Sequence, residues 1–150
     1  HRWTEPTKPK PSLYKASASH CFSGDTVEAL GDGLVPTTSN DQSIPRLTWW
    51  DHRATREWAQ FDFDAAKKVS AVEVYWFDDT GVGQCRLPKS WRLLYRTGAE
   101  WKPVPNAVSQ PPAKDDWNRL KFDAVDTSAL RLEVELQPNF SGGILEWRVK

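Results

Sequence analysis

Leu130-Arg131-Leu132-Glu133-Val134-Glu135-Leu136-Gln137 alternates apolar and polar side chains without a break. Successive side chains of an extended strand point to opposite faces, so the four apolar residues share a core face and the other four look into water. The same period recurs through the chain. Trp58–Phe63 sets Ala59, Phe61 and Phe63 on one side, Val69–Phe77 sets Val72, Val74 and Trp76, and Trp91–Tyr95 sets Trp91, Leu93 and Tyr95. Asn118–Phe122 carries Leu120, and Ile144–Val149 carries Leu145, Trp147 and Val149. Turn chemistry separates these runs at Thr80-Gly81-Val82-Gly83, Thr97-Gly98, Pro111-Pro112 and Ser141-Gly142-Gly143. Several short strands with turn signals and no helical period predict an all-β sandwich or barrel. No internal repeat is visible, and Val27–Thr48 is too long and irregular for a plain connection.

At 150 residues the chain is the size of one domain and buries a sufficient core without a metal or disulfide. Residues 1–11 read as a proline-rich, extended linker, and 12–150 as the single folded domain. Twenty basic and twenty acidic side chains give a formal net charge of zero, with no basic stripe for nucleic acid and no polybasic tract for lipid. No apolar run approaches a membrane span. Nine tryptophans and no methionine serve a core and a sugar-stacking platform alike. Cys21 and Cys85 are too few for a disulfide framework and lack metal-ligand spacing; a bridge between them and two separate buried thiols are both open.

A family pattern appears in the irregular region. Ala16-Ser17-Ala18-Ser19, Glu28-Ala29-Leu30-Gly31-Asp32-Gly33, Thr48-Trp49-Trp50 and Glu57-Trp58-Ala59-Gln60-Phe61-Asp62-Phe63 resemble the discoidin, or coagulation-factor type C, superfamily of galactose-binding-like domains. Arg86-Leu87-Pro88-Lys89-Ser90-Trp91, then Gly98 and Trp101, and finally Leu145-Glu146-Trp147 continue the likeness over nearly the whole chain. Val72 to Tyr95 is similar to the C-terminal accessory module of bacterial glycoside hydrolases of the β-L-arabinofuranosidase type. The resemblance implies a jelly-roll β-sandwich, monomeric and extracytoplasmic (secreted or periplasmic). It also implies a tether to a catalytic domain and carbohydrate, with galactose- or arabinose-like residues, as the partner.

It further implies a structural calcium ion. Ala29, Asp32, Leu34 and Thr37 match the family's metal loop, and Leu145 and Glu146 match its contribution from the last strand. Calcium takes six to eight oxygens, many of them carbonyls, so two carboxylates suffice. The alternative is that Asp32-Gly33 is a simple turn and Glu146 a capped acid.

Ligand candidates fall on loops. Trp49 and Trp50 are neighbours on an extended segment, so one points inward and the other is available to stack on a sugar; His52 and Arg53 follow them. Asp78, Asp79, Gln84 and Arg86 flank a glycine-bearing loop and form either a polar cluster on the same rim or, through Arg86 with Asp78 or Asp79, an ion pair that orders the loop. Asn139 and Phe140 complete a pocket or, for Phe140, plug the end of the sandwich. Trp58, Trp76, Trp91 and Trp147 fall on strand positions, and most of them are expected in the core. Asp78-Asp79 and Asp115-Asp116 are sequence neighbours whose side chains diverge, so neither forms a facing acid pair, and His52 has no identifiable nucleophile. A non-catalytic module is therefore expected. A ligand-free structural appendage and a discoidin-type protein- or lipid-binding module stand as alternatives, the latter requiring apolar spikes at loop tips.

Overall fold

The computed structural model describes residues 14–108 and 110–150. The expected linker, residues 1–11, lies outside them. In chain order the elements are β1 (Tyr14–Ala18), a 3-10 turn (Val27–Gly31), β2 (Leu47–Thr48), β3 (Arg56–Phe77), β4 (Ser90–Thr97), β5 (Glu100–Pro103), β6 (Asn118–Glu135) and β7 (Gly143–Val149). All pairing between strands is antiparallel, in the order β2-β7-β3-β6-β4-β5, with β1 also on β3.

Two pairs of predicted strands are each one strand. The runs at Trp58 and Val69 join through Asp64-Ala65-Ala66-Lys67-Lys68 into β3, and those at Asn118 and Leu130 join into β6. Their mutual register shifts between Asp62 and Lys67. That irregularity marks the corner at which the long ribbon passes from one layer of the sandwich to the other. The first half of β3 pairs with β1 and the last part of β6, beyond which lie β4 and β5; its second half pairs with β7 and the first part of β6.

The alternation does its work between these layers. Ala59, Phe61, Val72, Val74 and Trp76 of β3 meet Leu130, Leu132 and Val134 of β6 and Leu93 of β4 in one buried cluster. Phe61 stacks on Trp147 at 4.2 Å and Trp76 meets Trp91 edge-on at 5.5 Å. The β3–β7 layer is buried on its outer face too. Tyr75, Phe77, Cys85 and Leu145 form a second cluster beneath Ile44 and Trp117, which is why Val72–Phe77 reads as a continuous buried run. The long Val27–Thr48 stretch supplies much of that cover: the Ser39 carbonyl accepts from Asp78 N at 2.9 Å, and the Arg46 guanidinium lies 4.7 Å over the Phe77 ring. Gly143 lets the stretch return to the sheet, since any Cβ there would lie 2.4 Å from the Leu47 carbonyl.

One expectation changes. Leu145 and Trp147 face opposite sides, because a register shift between Tyr75 and Trp76 flips the parity of β7. Trp58 is half-buried on the outward face of β3, opposite Ala59 and Phe61, and is no core residue. Trp117 belongs to the smaller cluster, edge-on to Tyr75 at 5.3 Å. Both cysteine thiols are free, Cys85 buried and Cys21 half-buried.

Candidate functional site

One end of the sandwich gathers the loops that follow β1, precede β3 and follow β3. The pair Trp49-Trp50 divides as an extended segment requires. Trp49 is fully buried, its indole N–H donating to the Trp58 carbonyl at 3.2 Å, so it stacks on no ligand. Trp50 is half-buried, with the Arg53 guanidinium 4.6 Å over its ring, and it lines a cavity of about 320 Å³.

The walls of that cavity mix aromatic, aliphatic and charged groups. Phe22 (41% exposed) and Val82 (71%) stand at its mouth. Asp25, Arg46, Asp79 and Gln84 supply polar atoms. Asp25 accepts from the Thr48 hydroxyl and pairs with Arg46 Nε at 3.7 Å. Asp79 accepts from Cys85 N at 2.8 Å, which fixes the glycine-bearing loop. Phe22, Asp25 and Arg46 carry no signal in the sequence, because they enter the cavity from irregular backbone.

Other predicted residues are occupied elsewhere. Asp78 is 4% exposed and spends its carboxylate on Thr80 N, the Thr80 hydroxyl and Leu87 N, so it orders the loop and presents nothing to a ligand. Arg86 donates to the carbonyls of Gly83 and Cys85, both at 2.8 Å, lies 3.8 Å from Asp79 and stacks at 4.4 Å on Phe140. It is the loop-ordering ion pair of the two alternatives. Asn139 is exposed with φ of 70°. Phe140 joins the same rim, its carbonyl accepting from Ala54 N at 3.1 Å.

His52 has partners that the sequence concealed. Its Nδ1 donates to Glu57 Oε2 at 3.0 Å, and His20, just beyond β1, stacks on its ring. The buried Glu57 also accepts from the Ser19 hydroxyl at 2.7 Å. Burial works to raise the Glu57 pKa, but hydrogen bonds and the His52 charge outweigh it and hold it below the usual carboxylate value.

Of the expected metal-loop residues only Glu146 lines the cavity of about 180 Å³ that Tyr14, Gly31, Gly33, Trp147 and Val149 also enclose. Tyr14 Oη donates to the Gly31 carbonyl at 2.8 Å, and Ala29 and Leu145 are buried. Asp32 accepts from Leu34 N at 2.9 Å, with Leu34 itself exposed. Thr37 turns to Asp41, donating from both N and hydroxyl. Glu146 is 1% exposed, with no well-formed hydrogen bond to either carboxylate oxygen; the Asp32 carboxylate and the Gly33 and Trp147 N–H groups lie beside it. Burial first, and the Asp32 charge second, push its pKa up to about 8. An orphaned buried carboxylate beside a second acid is the arrangement a cation resolves. Among the described residues no three His, Cys, Asp or Glu side chains converge, so a cation here would rest on Glu146 and Asp32 together with loop carbonyls, a hard-oxygen set that suits calcium.

No family model and no curated protein match the sequence. Solved structures do match the fold. A structure of the Streptococcus pneumoniae β-galactosidase BgaA superposes with a TM-score of 0.82 at 22% identity, covering 95% of this chain and 94% of that one. The family 32 carbohydrate-binding module of Clostridium perfringens NanJ, solved with galactose, gives 0.69 at 16% identity over 92% and 93%. A chitosan-binding module from a Paenibacillus chitosanase/glucanase gives 0.67 at 14% over 92% and 95%. The fold is that of carbohydrate-binding modules. The galactose-binding-like jelly roll read from the sequence is therefore the architecture of the molecule.

Proposed function

We propose that this chain is a non-catalytic carbohydrate-binding module that holds a sugar at the Trp50 rim and carries a calcium ion at the Glu146 loop. The observation that carries the reading is the cavity of about 320 Å³ in which Phe22, Trp50 and Val82 offer apolar surface beside Asp25, Arg46 and Gln84. A sugar presents an apolar C–H face and hydroxyls at its edge, and sites for it combine an aromatic surface with a few fixed polar groups. Likeness of fold to sugar-binding modules supports the same conclusion. In this role the module would raise the local concentration of an attached glycoside hydrolase on its glycan. Calcium would supply the positive charge that two neighbouring carboxylates lack and pin the loop, with no part in catalysis.

Titration with galactose, arabinose and their oligosaccharides tests the reading. Heat or chemical-shift change in the wild type that vanishes in Trp50→Ala supports it. Absence of binding across a broad glycan panel sinks it. The exposed Phe22 and Val82 at the same rim also suit an apolar partner, so co-sedimentation with vesicles belongs beside the glycan panel; binding to vesicles without glycan binding would favour the protein- or lipid-binding alternative.

A further inference from the structure

The face of β6 that points away from the core carries Arg131, opposite Gln60 of β3 and Leu94 of β4. Its guanidinium sits between two indoles, 4.3 Å from the Trp58 ring centre and 4.7 Å from that of Trp101 on β5. Nε donates to Gln60 Oε1 at 2.9 Å. Gln60 is fixed in turn, its amide nitrogen donating to both oxygens of Asp62 at 2.9 and 3.2 Å. The guanidinium is thus locked in plane and in rotation by groups from two other strands, β3 and β5.

What it lacks is an anion. Among the described residues no carboxylate lies within ion-pair distance of Arg131, and its terminal nitrogens meet no acceptor. The nearest acid on its own strand face, Glu133, is closed by Arg92 at 2.7 Å. A second cation, Arg96, lies 5.8 Å over the Trp101 ring with its Nε on the Gly98 carbonyl. Holding an arginine still sacrifices side-chain freedom, and stacking alone does not use its fork of donors.

We propose that Trp58, Arg131 and Trp101 form a second binding site, outside the rim cavity, for a carboxylate-bearing sugar such as a uronate residue of an acidic glycan. The planar fork matches a carboxylate bidentately. The edges of the flanking indoles border the ring that bears the carboxylate. The rim cavity suits this ligand poorly, because its lining sets two acids, Asp25 and Asp79, beside one cation, Arg46, and Arg46 is already paired with Asp25.

The test is titration of the 150-residue chain with trigalacturonate, its neutral methyl ester and an oligoglutamate peptide, in low and high salt. Trigalacturonate binding should weaken at least tenfold in Arg131→Gln and in Arg131→Lys, which keeps the charge and loses the fork. It should be unchanged in Trp50→Ala, weaker at least tenfold for the methyl ester, and salt-sensitive. Trp101→Ala, on the exposed edge strand, gives a second route to the same loss if an Arg131 variant melts early. No trigalacturonate binding, equal binding by the Arg131 variants, loss in Trp50→Ala, or tighter binding of the peptide would each overturn the proposal. Failure of galactose to bind bears only on the rim.

Discussion

His20 lies flat on His52, with ring centroids 3.8 Å apart and planes 13° from parallel. The outer nitrogens are both engaged, His20 Nε2 donating to the Trp50 carbonyl at 2.9 Å and His52 Nδ1 to Glu57. A carbonyl and a carboxylate only accept, so these contacts fix both tautomers. The stack thereby fastens the exit of β1 to the loop that presents Trp50. His20→Ala is expected to weaken sugar binding by about tenfold, ~1.4 kcal/mol, while shifting the melting temperature little. Calorimetric titration alongside a melting curve checks this, and full affinity in His20→Ala would show that the stack does not position Trp50.

The adjacent tryptophans should separate stability from binding. Trp49→Ala removes a fully buried ring and is expected to cost about 3–5 kcal/mol. Trp50→Ala should cost about 1 kcal/mol or less and abolish sugar binding. Denaturant unfolding with parallel titration reads both; similar stability losses in the two variants would contradict the division of labour.

Glu146 makes stability depend on pH in a direction opposite to most acids. Its folded pKa, about 8, lies above the unfolded value of 4.5, so between those values the folded chain binds the extra proton and stability falls as pH rises. With a chelator present, the melting temperature should drop from pH 5 to pH 8. Calcium should reverse the trend by keeping the carboxylate ionised, and Glu146→Gln should flatten it. At this size 1 kcal/mol is about 2–4 °C, so a shift of several degrees is expected. A melting curve indifferent to calcium at pH 8 would remove the metal from this loop.

The thiols should be inert in the native state. Burial, with Asp79 adding to it, pushes the Cys85 pKa up to about 12, and burial raises that of Cys21. A thiol-labelling reagent at pH 8 should modify Cys85 only on unfolding and Cys21 slowly at most. Rapid labelling of both would show that the rim opens to expose them.

The layers were legible wherever the alternation was unbroken, and even the outward placement of Trp58 is implicit in the parity that puts Ala59 and Phe61 inside. What hid the long strands was Asp64-Ala65-Ala66-Lys67-Lys68, five exposed residues at the corner whose side chains have no face to choose. The parity of Leu145 was lost to a register shift that leaves no mark in composition. The rim was half-visible: Trp50 could be read as one of a pair, but Phe22, Asp25 and Arg46 arrive from segments with no period. The ion pair of Asp79 with Arg86, and the burial of Asp78, depend on distances that sequence neighbours do not reveal.

Because β3 and β6 each run through both layers, neither layer owns its hydrogen bonds. Tearing Arg56–Asp62 from its ladder pulls on the same backbone that holds Val72–Phe77 against β7. Backbone amides at the centres of the two sheets should therefore exchange with deuterium through a single opening event, at one common rate limit, whereas the rim loops breathe on their own.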